Sequence, residues 1–137
     1  MDIRTLRTVP QEAWRRFVDT HPQGNVFHTP EMYRVFERAR GYHPSFWSAV
    51  DDQGEVQALF LPTEVTVGPR LLHPLTTRNI AYGSVLYAPG PDGEEALAAL
   101  LEAYRRHKPG ALYSELRNVS DLTPVQSILR AGGFQHE

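Results

Sequence analysis

The sequence has no cysteine, which excludes a disulfide framework and any thiolate zinc site. It has no apolar run close to the roughly 20 residues that a membrane-spanning helix needs. Its start, Met1-Asp2-Ile3-Arg4, leads into charged residues rather than the apolar core of a secretory signal. The expected compartment is therefore cytoplasmic. Charge of one sign is also scarce. The net charge of -2 gives no global basic field of the kind a nucleic-acid binder shows, although Arg15, Arg16, Arg34, Arg38 and Arg40 leave room for a local patch. There is no internal repeat and no low-complexity linker. What is present suits one folded domain: 137 residues, 41% hydrophobic and 22% charged, enough apolar content for a core.

Proline and glycine cut the chain into short alternating elements. Ile3 to Thr8 reads as a strand. Pro10 opens a helix whose Trp14, Phe17 and Val18 share a face, and His21-Pro22-Gln23-Gly24 ends it. Thr29 as N-cap and Pro30 as first helical residue begin a second helix, with Met32, Val35, Phe36 and Ala39 as its buried stripe and Gly41 as its stop. Phe46–Val50 and Glu55–Val67 flank Asp51-Asp52-Gln53-Gly54, which predicts a hairpin. Ile80–Tyr87 reads as a further strand. Glu94–His107 is the clearest helix, with Leu97, Leu100, Leu101 and Tyr104 on one face. Ala111–Leu116 reads as a strand, Pro124–Ala131 as a helix with Val125, Ile128 and Leu129 inward, and Phe134 as the start of a last strand. This order predicts an α/β (α+β) domain with a mixed sheet and helices on both faces.

That order is similar to the GNAT acyltransferase fold, which opens with a strand, two helices and a three-strand antiparallel meander. Shorter pieces resemble one branch of it. Trp14 through Phe17, followed by Asn25-Val26-Phe27-His28-Thr29-Pro30-Glu31-Met32-Tyr33, looks like the opening of FemA/FemB proteins. Gly41-Tyr42 through Trp47-Ser48-Ala49-Val50 resembles their next strand, and Arg78-Asn79-Ile80-Ala81-Tyr82-Gly83 their strand running from a basic residue to a glycine. Leu116-Arg117, then Ala131-Gly132-Gly133-Phe134, looks like their closing strand, helix and Gly-Phe turn. Such proteins join two GNAT-like domains and transfer amino acids from aminoacyl-tRNA to peptidoglycan precursors without a metal. The resemblance implies that residues 1–137 are the N-terminal GNAT-like half, with the last strands truncated and a second GNAT-like domain or a homodimer partner completing the sheet edge. It implies a role in recognising the acceptor and scaffolding the second domain.

The candidate chemistry is sparse, and no catalytic residue stands out. An acetyl-CoA-binding GNAT uses a glycine-rich turn and a helix N-terminus to hold the pyrophosphate. The corresponding stretch here is Tyr87-Ala88-Pro89-Gly90-Pro91-Asp92-Gly93-Glu94-Glu95. Its glycines are spaced differently, two prolines lack N–H donors, and its acidic side chains complement the helix dipole themselves. The expectation is therefore no acetyl-CoA site and no cofactor. Arg78 and Arg117 are the best candidates for binding a phosphate or carboxylate, with ion pairing or plain surface exposure as the ordinary alternative. Tyr82 and Gly83 are candidates to line the same cleft, Gly83 by admitting a ligand to the backbone or by forming a bulge.

Other groups offer less. Glu115 would serve as a base if buried, or pair with Arg117. The six histidines are scattered without a ligand-like spacing, so no metal is expected. Ser84 follows Gly83 without a nucleophile-elbow pattern. Phe27, Tyr33, Tyr42, Phe46 and Trp47 suit either stacking on a ligand or core packing. Beside the FemA/FemB-like half-domain stand two alternatives: a free-standing GNAT N-acyltransferase with an atypical cofactor loop, and a non-catalytic module that pairs an open sheet edge with a partner.

Overall fold

A computed structural model gives the fold over residues 2–66, 71, 78–107, 114–116 and 125–131. Strand β1 (Arg4–Leu6) leads to helix α1 (Gln11–Thr20), a 3-10 turn (Val26–His28) and helix α2 (Pro30–Arg38). Strands β2 (Tyr42–Pro44), β3 (Trp47–Val50), β4 (Val56–Phe60), β5 (Thr63–Val65), β6 (Arg78–Ala81) and β7 (Val85–Tyr87) follow. Helix α3 (Pro91–His107), strand β8 (Ser114–Leu116) and helix α4 (Gln126–Ala131) complete the described chain.

The local causes are those the sequence offers. Thr29 caps α2 through its hydroxyl, which accepts from the Met32 N–H at 3.2 Å, and Pro30 takes the first helical position. In the β3–β4 hairpin the Asp51 carboxylate accepts from the N–H groups of Gln53 and Glu55, each at 2.9 Å, and from the Gln57 amide at 3.1 Å. Gly54 supplies the positive φ, +80°, that the turn requires. Helix α3 begins at Pro91, three residues before the expected Glu94, because a proline at a first helical position forfeits no hydrogen bond.

Strands β1, β3, β4 and β7 form one antiparallel sheet in that order, and β2, β5, β6 and β8 another, with β6 and β8 parallel. The two sets are consecutive halves of the same chains. β2 runs into β3 through Ser45-Phe46, β4 into β5 through Leu61-Pro62, and β6 into β7 through Tyr82-Gly83-Ser84. All three breaks lie at one level, so a fault crosses the sheet. The Ser45 N–H crosses it to the Pro62 carbonyl at 2.9 Å.

Alternation along the strands gives the sheet two buried faces. One carries Trp47, Ala49, Ala58, Phe60, Ala81 and Val85 against Leu97, Leu100, Leu101 and Tyr104 of α3 and against Val125 and Leu129 at α4. The other carries Phe46, Leu59, Leu61 and Leu86 against Trp14, Phe17 and Val18 of α1 and Tyr33 of α2. The expected mixed sheet, meander and inward face of α3 are all present.

Three expectations differ. Glu55–Val67 and Ile80–Tyr87 are each broken in two by the fault, at Pro62 and Gly83. The inward stripe of α2 is incomplete: Val35 is 57% exposed, and Met32, Phe36 and Ala39 are half-buried. Helix α2 packs on β2 and the 3-10 turn, so the sheet covers only part of its surface. Strand β2 is an addition, formed by three residues too few for a periodicity signal. The strand expected from Phe134 lies outside the described residues.

Leu97 and Leu100 are fully buried and carry the α3 face of the core. Leu100→Ala is expected to lower the unfolding free energy by about 2–5 kcal/mol, measured by urea denaturation. Glu95→Gln on the exposed side of the same helix should stay within about 0.5 kcal/mol.

Candidate functional site

The fault is deepest where β6 gives way to β7. Between the registered pairs Phe60–Val85 and Thr63–Ile80, one chain advances three residues (60 to 63) and the other five (80 to 85). The surplus is taken up by Tyr82-Gly83-Ser84. Ser84 adopts φ +61°, and its N–H closes a turn to the Ala81 carbonyl at 3.0 Å. Left-handed backbone in a non-glycine residue is uncommon and needs surrounding contacts to hold it.

His28 provides the main contact. Its imidazole is 1% exposed, and Nε2 lies 2.7 Å from the Gly83 carbonyl. The Asn25 N–H donates to Nδ1 at 3.1 Å. Because Nδ1 accepts, the proton sits on Nε2 and the ring is neutral. Asn25 and His28 thus cap the 3-10 turn reciprocally, with the Asn25 Oδ1 accepting from Phe27 N–H at 2.9 Å. The His28 carbonyl in turn accepts from the Trp14 indole N–H at 2.6 Å. A chain of hydrogen bonds therefore runs from α1 through the 3-10 turn to the strand break.

Gly83 is necessary for this contact. A Cβ there would lie 2.6 Å from His28 Nε2 and 2.9 Å from Cδ2. The group that approaches the Gly83 backbone is the His28 ring. Burial holds the His28 pKa below the ordinary imidazole value, with the nearby His21 adding to the lowering and the Gly83 carbonyl opposing it.

Tyr82 sits half-buried between Phe27 and Phe36, with ring centroids at 5.8 Å and 5.1 Å, and Phe36 also stacks on Tyr42 at 5.8 Å. The cleft these rings line encloses about 10 Å³, the least that holds one water. The rings pack on one another and leave no open slot for a ligand. Phe46 and Trp47 are core residues. A larger hollow of about 220 Å³ lies between α3 and α4, lined by Leu101, Ile128 and Ala131 together with Glu102 and Ser127. Glu102 there is already engaged by Arg105 and Arg106.

The break leaves backbone groups for other uses. Strand β8 pairs with β6 only, ending at Ala81–Leu116. Among the described residues no strand lies on the outer edge of β7. The Ala88 N–H donates to Gln57 across β4 at 2.8 Å, so alternation turns the Val85 N–H and carbonyl toward that edge. Beside them Ser84 is 4% exposed, and its Oγ has no hydrogen-bond partner; nor has Nδ2 of Asn79, also 4% exposed, on β6. Buried polar groups without partners are rare enough to require an explanation.

Of the other expected site residues, Arg78 takes a backbone position on β6 opposite Val65, and Glu115 one on β8 opposite Ile80. Arg117 lies outside the described residues. The suspected basic patch is largely used internally: Arg15 pairs with Glu31, Arg34 bonds to Gln11, and Arg16 lies 3.7 Å from Glu55. Among the described residues no three His, Asp or Glu side chains converge as metal ligands, and no helix is long and apolar enough to cross a membrane.

No protein-family model matches the sequence, and no curated protein matches it. Solved structures do. An aminoglycoside antibiotic 6'-N-acetyltransferase from Acinetobacter baumannii superposes with a TM-score of 0.64 at 11% identity, covering 98% of this chain and 92% of that one. A probable acetyltransferase gives 0.58 at 12% identity, covering 100% and 91%. A predicted acetyltransferase from Clostridium acetobutylicum, solved with acetyl-CoA, gives 0.50 at 13%, covering 99% and 90%. The fold is GNAT-like.

The last of these structures also overturns the expectation that the chain takes no acyl-CoA cofactor, since a protein of the same fold holds acetyl-CoA. The residues of the pyrophosphate turn carry no sign of the β7 edge or of the unpartnered Ser84 hydroxyl, because both arise from the strand break.

Two measurements check the His28–Gly83 contact. Gly83→Ala must push the imidazole away and is expected to cost about 1–3 kcal/mol, read by urea denaturation. The second uses pH. With the folded pKa of His28 lowered, the unfolded chain binds more protons just below the ordinary imidazole value. The contribution is complete above about pH 6.5 and is lost as pH falls from there toward the folded pKa. His28→Gln should therefore lose less Tm than the wild type between neutral and mildly acid pH. Equal losses in the two proteins would refute the assignment.

Proposed function

We propose that this chain is a GNAT-type N-acyltransferase that moves an acyl group from an acyl-CoA to an amine. The observation that carries the reading is the break at Tyr82-Gly83-Ser84. There a strand edge faces the end of the β6–β8 ladder, with the Val85 N–H and carbonyl outward and the Ser84 hydroxyl buried beside them. An extended chain bearing amides adds to such an edge through backbone hydrogen bonds. Structural neighbours named as acetyltransferases support the same reading.

The residues fit the acyl and pantetheine portion best. At the start of α3 the Glu94 N–H closes on the Gly90 carbonyl at 3.2 Å. Pro89 and Pro91 have no N–H. Asp92 and Glu94 occupy the first turn. Gly93 lies so close under Ala88 that a Cβ would meet its carbonyl oxygen at 1.6 Å. The turn is compact and its charge is already negative, so little binding is assigned to the phosphates.

When bound, an acyl-CoA supplies a thioester: the amine N–C bond forms, the C–S bond breaks, and the amine's proton leaves with the thiol. The chain's own part is to bind, orient and desolvate. With no cysteine it offers no thiol to carry the acyl group. Val85 fixes the donor against the edge, Ser84 offers an O–H toward developing charge on the carbonyl oxygen, and the His28–Gly83 contact keeps the turn in place.

The finer assignment, the first half of a FemA/FemB-type aminoacyltransferase with a second GNAT-like domain or a homodimer partner, rests on the short sequence pieces that resemble that family. The donor separates the two readings. The expected result is saturable acetyl-CoA binding by calorimetry and thiol release with primary amines, read without background because the protein has no thiol. S-acetyl-pantetheine, which lacks the nucleotide, should bind within about tenfold of acetyl-CoA, or about 1.4 kcal/mol. Failure of both donors to bind, with transfer from aminoacyl-tRNA instead, would replace this reading with the FemA/FemB one.

A further inference from the structure

Strand register brings three polar residues into a row. His43 on β2 lies opposite Glu64 on β5, and Glu64 lies opposite Asn79 on β6. Directly opposed residues project from the same face, with Cβ atoms about 4.5–5.5 Å apart. Asn79 is two residues from Ala81, which belongs to the core under α3, so the row is on that face. Yet α3 packs on β1, β3, β4 and β7, the strands of the other half-sheet. The row thus stands beyond the fault, at the first pair of the β6–β8 ladder, Asn79–Ser114, two residues before Ala81.

Burial deepens along the row. His43 is exposed, Glu64 half-buried, and Asn79 buried with its Nδ2 unpartnered. Ion pairs among the described residues engage Glu31, Glu55 and Glu102, not Glu64. Among the described residues Glu64 has no ion pair and the buried Asn79 Nδ2 no acceptor, and together they describe a complement. Its positive end meets Glu64, and an oxygen acceptor a few atoms away meets the Asn79 Nδ2.

We infer that Glu64 and Asn79 bind the acceptor of the proposed transfer, and that this acceptor is an amine with a neighbouring hydroxyl or carbonyl, as in amino sugars and amino alcohols. The inference rests on the N-acyltransferase reading for its role in the reaction but not for the binding itself. Glu64 holds the ammonium through charge-assisted hydrogen bonds, and the Asn79 amide selects for the oxygen, because leaving that donor unpaired costs affinity.

The test uses the full chain with no acyl donor. Glucosamine and cyclohexylamine are titrated and backbone amide chemical shifts followed. Glucosamine is expected to perturb β5 and β6 around Glu64 and Asn79 and to bind about tenfold more tightly than cyclohexylamine. Glu64→Gln, isosteric and half-exposed, should weaken both amines about tenfold with acetyl-CoA affinity unchanged. Asn79→Leu should abolish the preference for glucosamine. It should also raise Tm, since it removes a buried donor that the fold itself does not satisfy. Unchanged amine affinity in folded Glu64→Gln, or shifts confined to other elements, would overturn the inference. Because no acyl-CoA is present, that failure would leave the acyl-transfer reading standing. Amine binding here combined with no acetyl-CoA binding would sink that reading and keep this one.

Discussion

The imidazole of His28 fixes the geometry of the strand break. It is buried, neutral, and bonded at both nitrogens, to Asn25 on its own turn and to Gly83 on the far strand. A buried ring in this position is stable only if both bonds are made, because each unmet partner would lie in a desolvated site. Gly83 meets the requirement by having no side chain, and Ser84 accommodates the result by taking a left-handed backbone. The strain of that turn and the desolvation of the ring are thus borne together. Trp14 extends the arrangement into α1 by bonding the His28 carbonyl, with its ring against Phe46 and Tyr33.

The consequence is a sheet that changes its pairing at one level. Above the break β7 is held by β4 on one edge. Below it β6 is flanked by β5 and β8. A continuous strand would have paired with β8 throughout and left no edge groups available. The break separates two tasks. The half-sheet under α3 is rigid, with Trp47, Phe60 and Tyr104 in edge-to-face contact. The other half carries the polar row of His43, Glu64 and Asn79. On the proposed reading both reactants would sit on strands rather than loops, and the break would let one sheet present both.

Much of this order was legible in the sequence. The helices followed from periodicity and caps, and the β3–β4 hairpin from Asp51 through Gly54. Tyr82 and Gly83 stand at the strand break. Glycine in a strand signals a close approach without saying what approaches, and here the partner lies 55 residues away. Asn25 and His28 carry a local signal of their own: an N-cap asparagine with a polar side chain three residues on is a capping-box spacing. The fault across the sheet was not legible, since each broken strand reads locally as continuous and only their alignment creates the edge.

The sequence of the turn after β7 bears on how a donor would be held. A site that relies on phosphate contacts gains affinity from charge, and the gain is shared equally by ground state and transition state. Asp92 and Glu94 at the start of α3 give up that source, while on the proposed reading Val85 and Ser84 would lie next to the reacting atoms. Uniform binding lowers KM alone, whereas contacts at the reacting carbonyl lower the barrier itself. On the proposed reading the binding groups are those at the break, where hydrogen bonds would strengthen as charge develops. The buried hydroxyl of Ser84 and the buried amide of Asn79 both cost stability in the free protein. Their retention on either side of the break is the expected pattern for groups whose partners are supplied by two substrates rather than by the fold.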